Sequence, residues 1–484
     1  MTITDRERTM SSSLTTRAGV ALSTGTQHTT GYFRGRTIAE LGERLRADEI
    51  RAVDLVKAAL TAIDALDGTL NAFVTVDRAG ALRAAETADA ELADGRDRGP
   101  LHGIPVAVKD IIDVAGLRTT MGSAHFADNV PAQDAECVTR LREAGAIVIG
   151  KTTTQEFAFG PTGDRAHNGA SRNPHDPGRM TGGSSGGSGA AVAAGIVPLA
   201  LGTDTGGSVR IPASLCGVAG FKPAYGAVPT GGVFPLSQTL DHVGVLAGSA
   251  DDCRTGYRVL AGLRPMPRRE RGAEVSVGWI PPDLLHPTDP RVALLARTAL
   301  RADGLDVRDI RPGGLDGMLR AFGAIQFSEA HAVHAERVAE APQLFTDDVL
   351  AILRQAGETA GWQYVRALTE RERWRAEVGA LLDQVDLLAM PTTCVAAPEV
   401  DQREIEVGGA PLPVRGPLIG LTRPWNLAGT PALSVPAGTV DGLPAGLQLI
   451  GSPGQEDRLF AVAERIGAAL QRWRGATGAD TKDG

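Results

Sequence analysis

The sequence predicts an α/β fold, a β-sheet covered by helices on both faces, and three observations lead there. Short apolar runs alternate along the chain with segments whose apolar residues recur every three to four positions. Several of those runs, "IPVAVKD", "AIVIGKT" and "IVPLALGTD", are apolar at nearly every position, as strands buried on both faces are. The stretch from about 264 to 385 is instead rich in Arg, Ala and Leu at helical spacing, which predicts a largely helical insertion against the sheet.

Residues 1–36 are rich in Ser, Thr and Arg with few bulky apolar groups, and read as a poorly ordered tail. One domain is expected over 37–475. Helical periodicity begins at Ile38, Leu41 and Leu45 and continues through Val53, Val56, Leu60 and Ile63. "NAFVTV" follows as a strand, 80–94 as an exposed helix, "IPVAVKD" as a strand, 134–144 as a helix and "AIVIGKT" as a buried strand. After the helical region, entered through "LRPMPRRERG", strand-like runs return in "PALSVPAG" and "GLPAGLQLIG". "EDRLFAVAERIGAAL" closes the domain as a helix, and 476–484 is a polar tail.

The 484 residues are 43% hydrophobic and 22% charged, an ordinary globular composition with ample material for a core. A net charge of −8 and 4% aromatics argue against nucleic acid or an anionic membrane as partner. Four widely spaced cysteines, Cys137, Cys216, Cys253 and Cys394, read as reduced, buried thiols. Neither a long apolar run nor a secretory h-region is seen, so a cytoplasmic protein is expected. A homodimer is the default assembly.

"MTGGSSGGSGAAVAAG", starting at Met180, has the composition of a tether. Strand and helix patterns continue on both sides of it, however, which a linker would interrupt. A phosphate loop is a poor match, because no lysine follows the glycines. A second glycine-rich turn, "GTDTGGSVRIPASLCG", follows the next apolar strand and carries Ser208, and upstream the strand of "GIPVAVKD" ends in Lys109.

With "LHGIPVAVKD", "GGSSGGSGAAVAAG", "GTDTGGSVRIPASLCGVAGFKP", "GVFPLSQTLDHVG" and "NLAGTPALSVPAG", the chain resembles the amidase signature family of serine hydrolases over about 37–470. The resemblance implies that family's fold, a central mixed β-sheet with helices on both faces and a helical region, 264–385, facing substrate. It implies a nucleophile at Ser208, a bridging serine at Ser184 after a cis Gly183–Ser184 bond, and a base at Lys109. It further implies an oxyanion hole from the backbone of Thr205, Gly206, Gly207 and Ser208, with Ser185, Asp204 and Arg210 in support. No cofactor or metal belongs to that scheme.

The chemistry suits these residue types. A serine hydroxyl needs a base within hydrogen-bond reach, and a lysine serves only when neutral, so its pKa must fall several units from about 10.4. Burial supplies such a shift. Glycines beside Ser184, namely Gly182 and Gly183, let backbone pack closely, and with Met180 they are candidate substrate contacts. Arg423 and Trp425 in "LTRPWNLAG" are further candidates, the arginine for a carboxylate or polar group and the tryptophan as an apolar wall.

Other signals are weaker. His331 and His334 in "SEAHAVHAE" lack the HExxH spacing of a zinc site and are assigned to the substrate entrance. His242 in "LDHVG" would allow a Ser-His-Asp triad but falls in a structural motif of the family. Glutaminase subunits of transfer-RNA-dependent amidotransferases, by the same resemblance, carry glutamine after "GGSIR" and an acidic residue before "FTxPxNL". Here those stretches hold Ile211, and Ile419 with Gly420. A free-standing amidase of a small, partly apolar carboxamide, acylamide or carbamate is therefore the expectation. A glutamine-hydrolysing component of an amidotransferase, a urea- or biuret-type amidohydrolase and a catalytically silent scaffold are the alternatives.

Overall fold

The computed structural model describes residues 30–263 and 275–477, together with the backbone of Val20–Ala21. The expected tails therefore lie mostly outside the described residues, as does the Pro- and Arg-rich entry to the helical region. Val20–Ala21 (β1) pairs antiparallel with Val440 and Thr439, and Phe33 is buried with its amide bonded to Gly195 O at 3.0 Å. Part of the segment read as a loose tail is thus bound to the body of the domain.

A twelve-stranded mixed sheet runs through the molecule. In chain order its remaining strands are β2 (Phe73–Val76), β3 (Pro105–Lys109), β4 (Ile147–Thr152), β5 (Leu199–Thr203), β6 (Ala219–Lys222) and β7 (Val243–Ala247). They continue with β8 (Ser276–Trp279), β9 (Asp306–Asp309), β10 (Leu387–Pro391), β11 (Ala432–Val440) and β12 (Leu443–Ile450). Strands β3, β4 and β5 are parallel neighbours, with β3 in the middle, and so are β8, β9 and β10, with β8 in the middle. Every residue of β3, β4 and β5 is buried, which is why those runs read as continuously apolar.

The largely helical region expected at about 264–385 is present, and it also contributes to the sheet. The region read as a helical insertion contains β8 and β9, which extend the sheet to its edge. Strand β9, "DVRD", is largely exposed and charged, as edge strands tend to be, so its sequence carries no strand signal. Helices α3 (Leu315–Glu340) and α4 (Gly361–Leu382) supply the helical character that was expected. Two smaller helices matter for the site: α1 (Gly186–Ala193) and α2 (Arg210–Cys216) each follow a glycine-rich turn. Late in the chain, α5 (Arg415–Ile419) and α6 (Arg423–Ala428) bring the "LTRPWNLAG" segment against those turns.

Candidate active site

Strand β3 carries Lys109 at its C-terminal end, fully buried, with Nζ 2.7 Å from Ser184 Oγ and 2.7 Å from Thr203 Oγ1. No carboxylate lies within ion-pair distance of it among the described residues. Burial pushes the ammonium pKa down to about 7, against the opposing pull of Asp204 and Asp241. A lysine in this state is a competent base near neutral pH.

Ser184 sits in the glycine–serine turn, after a cis Gly183–Ser184 peptide bond. The turn is packed rather than loose: residues 180–194 are all buried. A Cβ on Gly183 would stand 2.6 Å from Gly163 N and 2.9 Å from Gly160 O, and one on Gly187 would stand 2.5 Å from Thr153 N. Glycine is required here because backbone lies where a side chain would go. Ser185 ties this turn to the next one, its amide donating to Ser208 O at 3.2 Å and its hydroxyl to Thr203 O at 3.3 Å.

Ser208 lies in the second turn and is 7% exposed, whereas Ser184 and Lys109 are 0% exposed. Of the three, it alone offers its atoms to solvent. Among the described residues, the amides of Thr205, Gly206, Gly207 and Ser208 have no backbone or side-chain acceptor. The next two amides do: those of Val209 and Arg210 donate to Asp204 Oδ2 at 3.2 and 3.4 Å. The turn thus presents a row of free donors next to an exposed hydroxyl, an arrangement suited to receiving an oxyanion.

Two buried carboxylates hold the turn. Asp204 and Arg210 form a fully buried, two-pronged ion pair at 2.9 and 3.0 Å, which Asn426 and Gln448 extend with bonds of 2.7 to 2.9 Å. Burial alone would raise the Asp204 carboxyl, but the Arg210 guanidinium outweighs it and holds it well below the carboxylate range. Asp241 accepts from Thr205 Oγ1 at 2.5 Å and from the amides of Leu236 and Ser237, while burial pushes its own pKa up to about 6. Thr422 Oγ1 donates to Gly206 O at 2.6 Å.

The remaining candidates fall in different places. Met180 is fully buried in the core, its amide bonded to Pro398 O. Gly182 packs on Ile211 and Leu215. Trp425 is also a core residue, fully buried, with Nε1 donating to Leu421 O at 3.0 Å and its ring against Trp374. Arg423 interacts electrostatically with His286 and Cys394. His334 is enclosed by Phe157, Phe234 and Phe345, while His331 reaches Leu353 O, so the two histidines serve separate neighbourhoods. His242 is buried, with Nδ1 2.6 Å from Leu240 O. All four cysteines are free and buried.

The model of the family described as Amidase matches residues 54–460 of this chain. The chain belongs to the amidase family. It is 36% identical to AtzE of Pseudomonas sp. (strain ADP), a component of 1-carboxybiuret hydrolase, over 89% of this chain and 97% of that protein. It is equally 36% identical to a component of the glutamyl-tRNA(Gln) amidotransferase of Roseiflexus castenholzii, over 90% and 95%. A crystal structure of an amidase superposes with a TM-score of 0.84 at 35% identity, covering 89% of this chain and 99% of that one. This amidase is therefore an amidohydrolase, an enzyme that cleaves amide C–N bonds, built on the mixed α/β fold of its family. No helix among its described residues is long and apolar enough to cross a membrane.

Two contributors to the site, Thr203 and Asp241, are not singled out by the sequence reading. Thr203 ends an apolar strand and Asp241 lies within "LSQTLDHVG", so each stood inside a motif already singled out.

Proposed function

We propose that this amidase hydrolyses small, partly apolar amides through an acyl-enzyme on Ser208. Ser208 Oγ attacks the carbonyl carbon, Ser184 takes its proton, and Ser184 passes its own to neutral Lys109. The carbonyl oxygen becomes an oxyanion and accepts hydrogen bonds from the amides of residues 205–208. Collapse of the tetrahedral intermediate breaks the C–N bond, with the proton returning through Ser184 to the leaving amine. Water then repeats the sequence on the acyl-serine and releases the acid.

The observation that carries this reading is the 2.7 Å approach of Lys109 Nζ to Ser184 Oγ, fully buried and, among the described residues, without an ion pair. A lysine whose side-chain partners are hydroxyls can exchange protons with them, whereas one held by carboxylates or carbonyls cannot. Apolar walls favour a small, partly apolar acyl group. Phe322 Cζ and Ile419 Cδ1 lie 2.9 and 2.8 Å from where a Gly206 Cβ would be, and Ile211 Cδ1 abuts Gly207. At Ile211 and Ile419, hydrocarbon replaces the polar groups expected of a glutaminase, which favours a free-standing enzyme.

The test is release of ammonia or amine from glutamine, a benzamide, an acetanilide, an aryl carbamate and biuret, by wild type and Ser208→Ala. Turnover of an aryl, carbamate or ureide class that is lost in the variant is expected. Glutamine as the preferred substrate would overturn the free-standing assignment and direct attention to an amidotransferase complex.

A further inference from the structure

Arg415 opens α5, half-buried, and Ile419 closes the same helix one turn later. On α3 the same spacing separates Phe322 from Gln326. Phe322 and Ile419 both press on Gly206, and Arg415 Nη2 donates to Gln326 Oε1 at 3.2 Å. The pair Arg415–Gln326 therefore lies one helical turn along both helices from the pair, Ile419 and Phe322, that lines the oxyanion turn. A second route gives the same position. The guanidinium carbon lies 5.5 Å from the centre of the Phe159 ring, and Phe159 precedes Gly160, whose carbonyl adjoins Gly183. Arg415 thus neighbours residues that pack on both glycine-rich turns.

Its bonding is incomplete. Nη1 is withdrawn from solvent and has no hydrogen-bond partner, and no carboxylate forms an ion pair with Arg415 among the described residues. Nearby acids are committed elsewhere: Asp241 to Thr205 and two amides, and Glu329 to Ser237, Thr239 and Tyr364. Burial, and then the charge of Arg423, push the Arg415 pKa down to about 10, so the group stays cationic at neutral pH. A buried cationic N–H without an acceptor is costly unless a ligand supplies one.

We propose that Arg415 binds a carboxylate of the substrate, so that the enzyme's substrates are amides bearing a carboxylate about one helical turn from the scissile carbonyl. Half-amides of short dicarboxylic acids have that form. Glutamine fits poorly, because its ammonium would face the Arg415 guanidinium while Asp241 and Glu329 are committed elsewhere. This assignment rests on the reading of Ser208 as nucleophile given above.

The experiment compares succinamate and glutaramate with the uncharged butanamide and pentanamide, on wild type, Arg415→Met and Arg415→Lys. Wild type is expected to favour the carboxylates by about 100-fold in kcat/KM. Arg415→Met is expected to lose about that factor on the carboxylates, mainly through KM, and to change the uncharged amides by less than about threefold. Arg415→Lys, which keeps the charge but not the fork, should recover part of the loss. Equal or better turnover of the uncharged amides, or an equal loss on both classes in Arg415→Met, would overturn the proposal.

Glutarate binding separates the two readings. It should raise the melting temperature of Ser208→Ala but not of the Ser208→Ala, Arg415→Met double variant. Absence of that stabilisation counts against the carboxylate site. If a fluorophosphonate fails to label Ser208 while glutarate still binds through Arg415, the nucleophile assignment alone fails.

Discussion

Two buried lysines on adjacent strands of this amidase have different partners. Lys109 ends β3 and Lys151 lies in β4, where the parallel register pairs Val108 with Lys151 and Lys109 with Thr152. Side chains alternate along a strand, so Lys151 shares a face with Val108 and points away from Lys109. Asp110, next to Lys109 in sequence, falls on the Lys151 side and lies 3.4 Å from that ammonium. Lys151 also reaches Ile112 O and Thr119 Oγ1, both at 2.6 Å. Among the described residues, the Lys109 ammonium bonds only the hydroxyls of Ser184 and Thr203. Burial lowers both pKa values, to about 7 for Lys109 and about 8 for Lys151. What separates them is therefore the partner. A carboxylate and a carbonyl fix a lysine in place, whereas a hydroxyl can pass it a proton.

The comparison breaks or holds most visibly on removal of each amine. Lys109→Met is expected to reduce kcat/KM by at least about 10⁴-fold, as is Ser208→Ala, with the unfolding transition retained. Lys151→Met should leave the rate of the folded enzyme within a few-fold. It should cost about 3–5 kcal/mol of stability in urea unfolding, because Asp110 is left buried without its partner. A Lys151 variant that is stable but inactive would reverse the assignment.

The bracing pair Asp204–Arg210 combines both kinds of effect. Asp204→Asn should destabilise by a similar amount, about 3–5 kcal/mol, through the unpaired Arg210, and lower kcat by loosening the donor turn. Unfolding curves measured beside kcat would show the two losses together. Loss of stability with kcat intact would mean that the turn holds its shape without the pair.

A pH profile sharpens the distinction further. Lys109 must be neutral to accept a proton, so kcat/KM should rise with pH through an apparent pKa near 7. The Thr203 hydroxyl accepts from the ammonium and so favours the charged form. Thr203→Val should therefore move that limb to lower pH, with a rate loss of about tenfold. A limb that stayed fixed in Thr203→Val would detach Thr203 from the base. The smallest effect is expected at Arg423: Arg423→Gln should change turnover of any substrate by less than about threefold, in contrast to Arg415→Met.

Much of the fold was legible because burial writes itself into strands. The all-buried β3, β4 and β5 were readable as apolar runs, while β9, exposed and charged at the edge, was not. Lys109, Ser184 and Ser208 were named from motifs, each standing in a stretch whose glycines or apolar neighbours made it conspicuous. Arg415 and Arg423 illustrate the opposite case. Both are arginines in one late segment, and the one beside the tryptophan drew attention. That Arg415 meets Gln326 and Phe159 depends on the helical phase of α5 and on where α3 packs.

The sequence by itself determined the α/β class, the family and the residue types at the heart of the site, since local pattern and motif identity need no third dimension. Only the tertiary structure decided which lysine meets hydroxyls and which meets a carboxylate. It likewise decided that Trp425 belongs to the core and that Arg415 meets Gln326 and the Phe159 ring. Those facts depend on contacts between segments far apart in the chain, made by strand register and helix packing, and no single stretch of sequence contains them.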